Sequence, residues 1–221
     1  VASVQGMMIK MPDSTTIEHL NEGKRQAKNK DARLTLMMAA EHCLQHDGYA
    51  ALSTRRVAER AEMPLSQIHY HFGSKQGLLL ALYEYLNASL LDRQKAMFES
   101  DLPLSEQWNL ACDYLDEDVA SGYVRVLQEL TAAGWSDPAI AAAIRLNSQG
   151  WIDLLTDVAR RWAANQTNIS PFTPEGLANL VGSLFLGVES RLLSQDSQKE
   201  TILRSLRDVG SLIKTFEDAN K

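Results

Sequence analysis

Apolar residues recur every three to four positions along most of the chain after residue 28, and this is the period of an amphipathic α-helix. No segment shows the sustained period-two alternation that indicates a β-strand. Short groups of Gly, Pro and Ser separate the periodic segments from one another. The pattern therefore predicts an all-α protein.

The N-terminal part of this pattern predicts one medium helix, two short helices and one long helix. The first helix covers residues 30–46 and ends before Gly48, and the two short helices follow at residues 54–61 and 64–70. Ser74 is the predicted N-cap of the long helix, which continues to about residue 100. Three helices and the start of a fourth are thus expected within the first 80 residues.

The C-terminal part predicts further helices whose starts are marked by capping residues. Asp137-Pro138 and Thr173-Pro174 each combine an N-cap side chain with a proline suited to the first helical position. Ser197, followed three residues later by a glutamate, predicts a capping box at the start of the last helix. The body of the protein is therefore expected to be a bundle of helices.

The last two predicted helices carry the clearest apolar stripes in the chain. In the first of them, apolar side chains recur at i, i+3, i+4, i+7 and i+8, and the final helix carries a second stripe. Such a stripe commonly packs on the protein's own core, and the alternative is a surface for a second copy of the chain. The candidate interface residues are Leu177, Leu180, Val181, Leu184, Phe185, Val188, Leu192, Leu206 and Ile213.

Charge divides the chain into a basic and an acidic part, although the formal net charge of the whole is −6. Between residues 24 and 80 there are nine basic and five acidic side chains, a net charge of +4, so the remainder carries −10. A basic N-terminal domain on an acidic body is typical of a nucleic-acid-binding protein with a separate second domain. We expect a flexible polar arm at residues 1–28, a DNA-binding domain at 29–80, and a second domain at 81–221.

Residues 53–79, STRRVAERAEMPLSQIHYHFGSKQGLL, contain the most specific motif. The first short helix has an apolar inner face and outward arginines, and after a tight turn the second short helix is rich in side chains that form hydrogen bonds. Two such helices form a helix-turn-helix, whose second helix lies in the major groove of DNA.

This segment resembles the DNA-binding domain of TetR-family transcriptional regulators, with the HYHFGSK sequence as its most specific part. Two departures from the family pattern occur in the turn, where Glu62 and Pro64 replace the usual Gly and Ser, and His69 stands where the family usually has Tyr. The residues that match the pattern or vary it conservatively are Thr54, Arg56, Val57, Ala58, Ala61, Met63, Ile68, His71, Phe72, Ser74, Lys75 and Leu78.

The chemistry of these side chains assigns roles at DNA. Gln67 can read an adenine edge and Ser66 can bond to either base of a pair, so both are candidates for base contacts. The remaining polar and basic side chains of the motif are candidates for contacts to phosphate or base. The predicted DNA-binding set is Thr54, Arg55, Arg56, Ser66, Gln67, His69, Tyr70, His71 and Lys75.

The resemblance further implies a larger C-terminal helical domain that binds a ligand and dimerises. Aromatic residues in the middle helices can enclose a pocket with a few polar groups, although each one alone is more often a core residue. The candidate ligand-binding residues are Met97, Trp108, Tyr114, Arg125, Glu129, Trp135, Asn147 and Trp151. The expected ligand is small and largely apolar.

Sequence signatures of common enzymes are missing. The chain contains no nucleophile elbow, Walker loop, dinucleotide-binding fingerprint or zinc-protease motif, so we expect no enzymatic activity, cofactor or metal site. The chain has only two cysteines, no apolar run of about 18 residues and no signal-peptide order at its N-terminus, so we expect it in the cytoplasm. The expected DNA binding would associate it with the nucleoid.

The sequence therefore predicts a homodimeric regulator that binds a pseudo-palindromic DNA operator. A small-molecule effector of unknown identity is expected to release it from the operator, which would make it a repressor. Two alternatives stay open. One is a transcriptional activator with the same fold, and the other is an all-α interaction module or enzyme in which the helix-turn-helix is only a packing motif.

Overall fold

The structure is a computed structural model that describes the backbone of residues 14–164 and 171–219, and the side chains of these residues except 14–26 and 196. Every regular element within these ranges is helical, which confirms the predicted all-α class. The helices are α1 (Ser14–Asp47), α2 (Thr54–Arg60), α3 (Leu65–Phe72), α4 (Lys75–Phe98), α5 (Leu104–Ala120), α6 (Tyr123–Gly134), α7 (Pro138–Ala163), α8 (Pro174–Ser194) and α9 (Lys199–Ala219).

The first helix begins earlier than its apolar pattern predicts. Helix α1 starts at Ser14 rather than near residue 30, so residues 14–28, which we expected in a flexible arm, have helical backbone. Residues 1–13 of that arm lie outside the described part of the chain. This segment has no apolar stripe, so the periodicity of apolar residues does not reveal its helical backbone.

Predicted capping residues begin three of the helices. The Ser74 hydroxyl accepts a hydrogen bond from Gly77 N at 3.0 Å, and the Thr173 hydroxyl accepts one from Gly176 N at 3.0 Å. Asp137 Oδ1 accepts from the second and third residues of α7 at 2.9 and 3.2 Å. Ser197, in contrast, lies in the 3₁₀ turn Asp196–Gln198 that precedes α9, so the predicted capping box is wrong.

Two hydrophobic cores organise the molecule. The larger one joins α1–α4 to the adjoining parts of α6 and α7, and its fully buried members include Leu36, Ile68, Leu82 and Leu130. The second lies between α5, α8 and α9. We call α1–α3 with the start of α4 the head and α5–α9 the body. The expected domain boundary at residue 80 falls inside α4, which is continuous through both parts.

The turn between α2 and α3 holds a residue in an unfavourable backbone conformation. Glu62 has φ of 54°, the left-handed region, and is the one non-glycine residue with positive φ in residues 14–164 and 171–219. A side chain with a Cβ atom is strained in this region, whereas glycine adopts it freely. The departure from the family pattern at Glu62 therefore has a structural cost.

Replacement of this glutamate by glycine is expected to stabilise the protein. Glu62→Gly should raise the free energy of unfolding by about 0.5–1 kcal/mol, because relief of the strain exceeds the added flexibility of the unfolded chain. The measurement is the denaturant midpoint. Glu59→Gly is the matched control: it changes an exposed glutamate within α2 and should lower the free energy of unfolding by about 1 kcal/mol. Equal destabilisation by the two changes would contradict the assignment of strain to Glu62.

Candidate nucleic-acid interface and ligand cavity

Helices α2 and α3 form a helix-turn-helix in which one buried residue orients the second helix. Ile68 is 0% exposed and seated in the head core, so the opposite side of α3 faces solvent. That side presents Ser66, His69 and Tyr70, whose ring is 70% exposed, with Gln67 half-buried beside them. Four of the predicted DNA-binding residues therefore lie together on or beside the exposed face of the second helix.

The α2 residues have less uniform environments. Ser53 is the N-cap of this helix and accepts a hydrogen bond from Arg56 N at 3.3 Å, so Thr54 is the first helical residue and is half-buried. Arg55 is exposed at the edge of the turn between the two helices. The Arg56 guanidinium forms an ion pair with Asp47 at 2.8 Å, so its charge is already compensated within the chain.

Two of the predicted phosphate contacts point into the head instead. Lys75 Nζ donates a hydrogen bond to Leu52 O at 2.6 Å and lies 4.7 Å from the ring centroid of Tyr49, and burial lowers the pKa of this lysine. The half-buried His71 has its Nε2 enclosed without a hydrogen-bond partner, and burial together with the nearby Arg33 lowers its pKa. The polar atoms of Lys75 and of the His71 ring thus lie within the head among the described residues, and their contacts to DNA stay a prediction.

A cavity of about 280 Å³ lies in the body and is lined by side chains of α4, α5, α6, α7 and α8. Most of the lining is apolar or aromatic, which is typical of sites for small molecules. Four predicted ligand-binding residues line it: Met97, Trp108, Tyr114 and Trp151. Four aromatic residues outside the predicted ligand-binding set also line it, namely Tyr83, Phe98, Tyr123 and Phe185.

Several polar groups interrupt the apolar lining, and some of them are paired with one another. Arg93 and Asp118 form a two-point ion pair, with Arg93 Nη1 donating to Asp118 Oδ1 at 3.0 Å. Trp151 Nε1 donates to the side-chain oxygen of Gln94 at 2.6 Å. On α8, Glu189 accepts a hydrogen bond from Gln128 Nε2 at 2.7 Å. Glu189 is half-buried in the cavity wall, and the loss of solvation there raises its pKa to about 7.

The other four predicted ligand-binding residues do not line this cavity. Trp135 follows the end of α6 and is 85% exposed, and Asn147 accepts a hydrogen bond at 3.1 Å from Asn87, which does line the cavity. Arg125 and Glu129 lie on the side of α6 that meets the head, where Glu129 Oε2 accepts a hydrogen bond from Tyr49 N at 3.1 Å. The prediction of these four as cavity residues is corrected accordingly.

The predicted dimer stripe divides between the inside and the outside of the chain. Val188, Leu192 and Leu206 belong to the core between α5, α8 and α9, because the stripe of each helix faces its neighbours in the same bundle. Val181 and Phe185 line the cavity, and Leu177 and Ile213 are half-buried. Of the predicted interface residues, Leu180 and Leu184 are exposed, at 57% and 37%, and Leu212 on α9 is a further exposed leucine at 57%.

Neither a metal cluster nor a membrane-spanning helix is found in the described part of the chain. No group of three or more His, Cys, Asp or Glu side chains there is arranged to hold a metal ion. The helices in residues 14–164 and 171–219 are too polar or too short to cross a lipid bilayer.

Comparisons with known proteins agree with this architecture. Residues 36–82 match the family model described as bacterial regulatory proteins of the tetR family. A TetR transcription regulator from Haloarcula marismortui superposes with a TM-score of 0.70 at 21% identity, covering 83% of this chain and 96% of that one. FadR from Bacillus subtilis in complex with stearoyl-CoA gives a TM-score of 0.67 at 14% identity, covering 78% and 96%. The SmeT–triclosan complex gives 0.67 at 16% identity, covering 81% and 90%.

No curated protein sequence matches the chain. A helix-turn-helix head on a larger helical body defines a DNA-binding transcriptional regulator. The head matches the tetR family by sequence and the whole chain has the fold of that family's members. The chain thus carries a DNA-binding domain of the tetR type at residues 36–82 and shares the fold of TetR-family regulators.

Proposed function

We propose that the protein is a homodimeric repressor that binds a pseudo-palindromic operator and is released from it by a small, largely apolar effector. The observation that carries this proposal is that α4, α6 and α7 line the cavity and also contribute to the hydrophobic core of the DNA-binding head. A molecule bound in the cavity thereby contacts elements that also support the recognition helix.

The DNA contacts follow from the exposed face of α3. Ser66 and Gln67 lie in the first turn of that helix, where side chains of a recognition helix reach base edges. Tyr70 is positioned to bond a phosphate or a base, and the uncompensated charge of Arg55 favours the DNA backbone. This set replaces the broader one predicted from sequence.

Dimerisation through α8 and α9 is supported by the apolar side chains that these helices expose. Leu180, Leu184 and Leu212 are large apolar residues on the outside of the body, where the monomer gives them little to pack on. Gly187 follows Leu184 by one turn, and no atom lies within 4 Å of the position that a Cβ would take there, so another backbone can approach closely. A two-fold pair of such faces would also set the spacing between two recognition helices.

The route from cavity to head consists of packed helices and a few polar contacts. Helix α4 contributes Leu78 and Leu79 to the head core and, one to two turns later, Tyr83 to the cavity wall. On α6, Gln128 lines the cavity while its neighbour Glu129 accepts the backbone hydrogen bond from the head. An effector acts along this route only if it binds better to the geometry that does not fit the operator.

Two proteins of the same fold hold small molecules, triclosan in one and stearoyl-CoA in the other. Together with the lining of the cavity, these two complexes support the proposal that the cavity of the present protein is an effector site. The chemical class of the effector has to be read from this chain's own lining, because the two ligands differ widely.

Selection of binding sites from a random duplex library tests the function. We expect the enriched sequence to be an inverted repeat with half-sites about one helical turn, ~34 Å, apart or somewhat more. Affinity for it should fall steeply as salt rises, because phosphate contacts release counterions. Enrichment of no sequence, or binding that does not depend on salt, would contradict the proposal and favour the packing-motif alternative.

A further inference from the structure

Glu189 is a half-buried carboxylate with no charged partner in the described part of the chain. It lies on α8 one turn after Phe185, lines the cavity, and receives a hydrogen bond from the neutral amide of Gln128. Among the described residues, no lysine, arginine or histidine lies within ion-pair distance of it. Burial of an ionised carboxylate is costly unless an opposite charge compensates it.

The other ionisable groups that line the cavity do not supply that charge. The Arg93 guanidinium of α4 is committed to Asp118 of α5, so this pair contributes no net charge. The remaining ionisable side chains of the lining are the phenols of Tyr83, Tyr114 and Tyr123, on α4, α5 and α6, and α7 contributes none. The cavity therefore carries one uncompensated negative charge whenever Glu189 is ionised.

The walls around this charge are suited to an organic cation. Aromatic rings from α4, α5, α6, α7 and α8 line the cavity, and their faces attract cations, most strongly where water is excluded. An anion would be repelled by Glu189, and a neutral apolar molecule would leave the carboxylate uncompensated. Arg93 already lies 4.5 Å from the ring centroid of Tyr114, so the lining tolerates a cation against its rings.

We propose that the cavity binds a lipophilic organic monocation, such as a protonated or quaternary amine with an apolar stem, and that Glu189 is its charge partner. This inference rests on the proposed function, since it names the chemical class of the effector. In the absence of such a cation, the raised pKa of Glu189 keeps part of the population protonated near neutral pH. A bound cation stabilises the ionised form and displaces that proton.

Four probes with the same apolar stem test the charge preference directly: octyltrimethylammonium, protonated octylamine, octanol and octanoate. Binding to the full chain is followed by calorimetry and by the fluorescence of Trp108 and Trp151, both of which line the cavity. We expect the two cations to bind most tightly and octanoate most weakly. For octyltrimethylammonium, which does not titrate, affinity should rise as pH increases through about 7 and Glu189 ionises.

Glu189→Gln separates charge from shape, because glutamine keeps the size of the side chain and can still accept a hydrogen bond from Gln128. It should lower the affinity for octyltrimethylammonium by about tenfold or more, remove its pH dependence, and leave octanol binding within about threefold. Glu175→Gln is the matched control on the same helix: this glutamate is exposed and pairs with Arg160, so the change should leave binding of all four probes unaltered. Thermal unfolding checks that both variants are folded.

The cation proposal is overturned if neither cation binds, if octanol or octanoate binds as tightly as the cations, or if Glu189→Gln leaves cation affinity unchanged. Release of operator DNA by octyltrimethylammonium is measured separately. Binding that depends on Glu189 without release of DNA would support the site and contradict its role as the effector site. If the protein binds its operator, no cation affects that binding, and the cavity prefers octanol, then the proposed function as a regulator stands. Only the proposal of a cationic effector is then rejected.

Discussion

Tyr70→Ala is expected to lower affinity for the selected operator about 10- to 100-fold, the loss that follows removal of a good contact at a recognition helix. The ring is 70% exposed and the buried anchor of α3 is Ile68, so the free energy of unfolding should change by less than about 0.5 kcal/mol. Because tyrosine is neutral, the slope of affinity against salt should stay the same. Fluorescence anisotropy at several salt concentrations measures both quantities.

Tyr85→Ala is the matched control for this change. Tyr85 is an exposed tyrosine, at 47%, on α4 and outside the helix-turn-helix, so its removal should leave DNA affinity unaltered. Equal affinity of the Tyr70 variant and the unmodified protein would reject α3 as the surface that reads DNA. A parallel loss in both variants would indicate that DNA meets a different face of the head.

Leu180→Glu combined with Leu184→Glu is expected to produce a monomer and to lower operator affinity by about a hundredfold or more, because a single head gains nothing from a second half-site. Both leucines are exposed in the single chain, so the changes create no cavity in its own core. In the proposed dimer they would place four carboxylates in one interface, and these would repel one another. Analytical ultracentrifugation gives the oligomeric state and gel-shift titration gives the affinity.

Leu146→Glu serves as the control for the paired change, since this leucine is 76% exposed on α7, outside the α8–α9 surface. It should leave both the oligomeric state and DNA binding as they are. A variant with both α8 leucines changed that remains dimeric would reject this surface as the interface. A monomer that binds DNA as tightly as the unmodified protein would reject the two-head mode of recognition.

The elements that the sequence predicts well are those with a strong local signal. The short helices of the head depend on a cap, a turn and a buried anchor that are neighbours in sequence, and α2 begins at Thr54 as predicted. The capping hydrogen bonds at Ser74, Asp137 and Thr173 are likewise interactions between residues two or three positions apart. Local chemistry is sufficient to place such features.

Residues whose role depends on what a given face of a helix packs against are predicted poorly. Trp135 is an aromatic residue of the type that lines cavities, yet it follows the end of α6 and faces solvent. Val188 and Leu192 have the pattern of an interface, but the same pattern serves packing within the bundle. Periodicity reveals that a helix has an apolar face and does not reveal which neighbour covers it.

Glu189 is a cavity residue outside the predicted ligand-binding set, although the sequence carries a signal for it. Val181, Phe185 and Glu189 recur every four residues, so the glutamate stands on the inward stripe of α8 among apolar side chains. A charged residue on a core-facing stripe is uncommon and indicates a partner or a function.

The hydrophobic core that joins the head to α6 and α7 also limits how this regulator can be engineered. Exchange of DNA-binding heads between regulators usually assumes that a cut within the connecting helix separates two independent modules. Here such a cut near residue 80 would divide one core, because Leu130 and Ile140 of the body pack with Leu36 and Ile68 of the head. A functional chimera would need to carry the matching surfaces of α6 and α7 with the transplanted head. The specificity for DNA and the specificity for effector could therefore not be exchanged independently by a cut at this position.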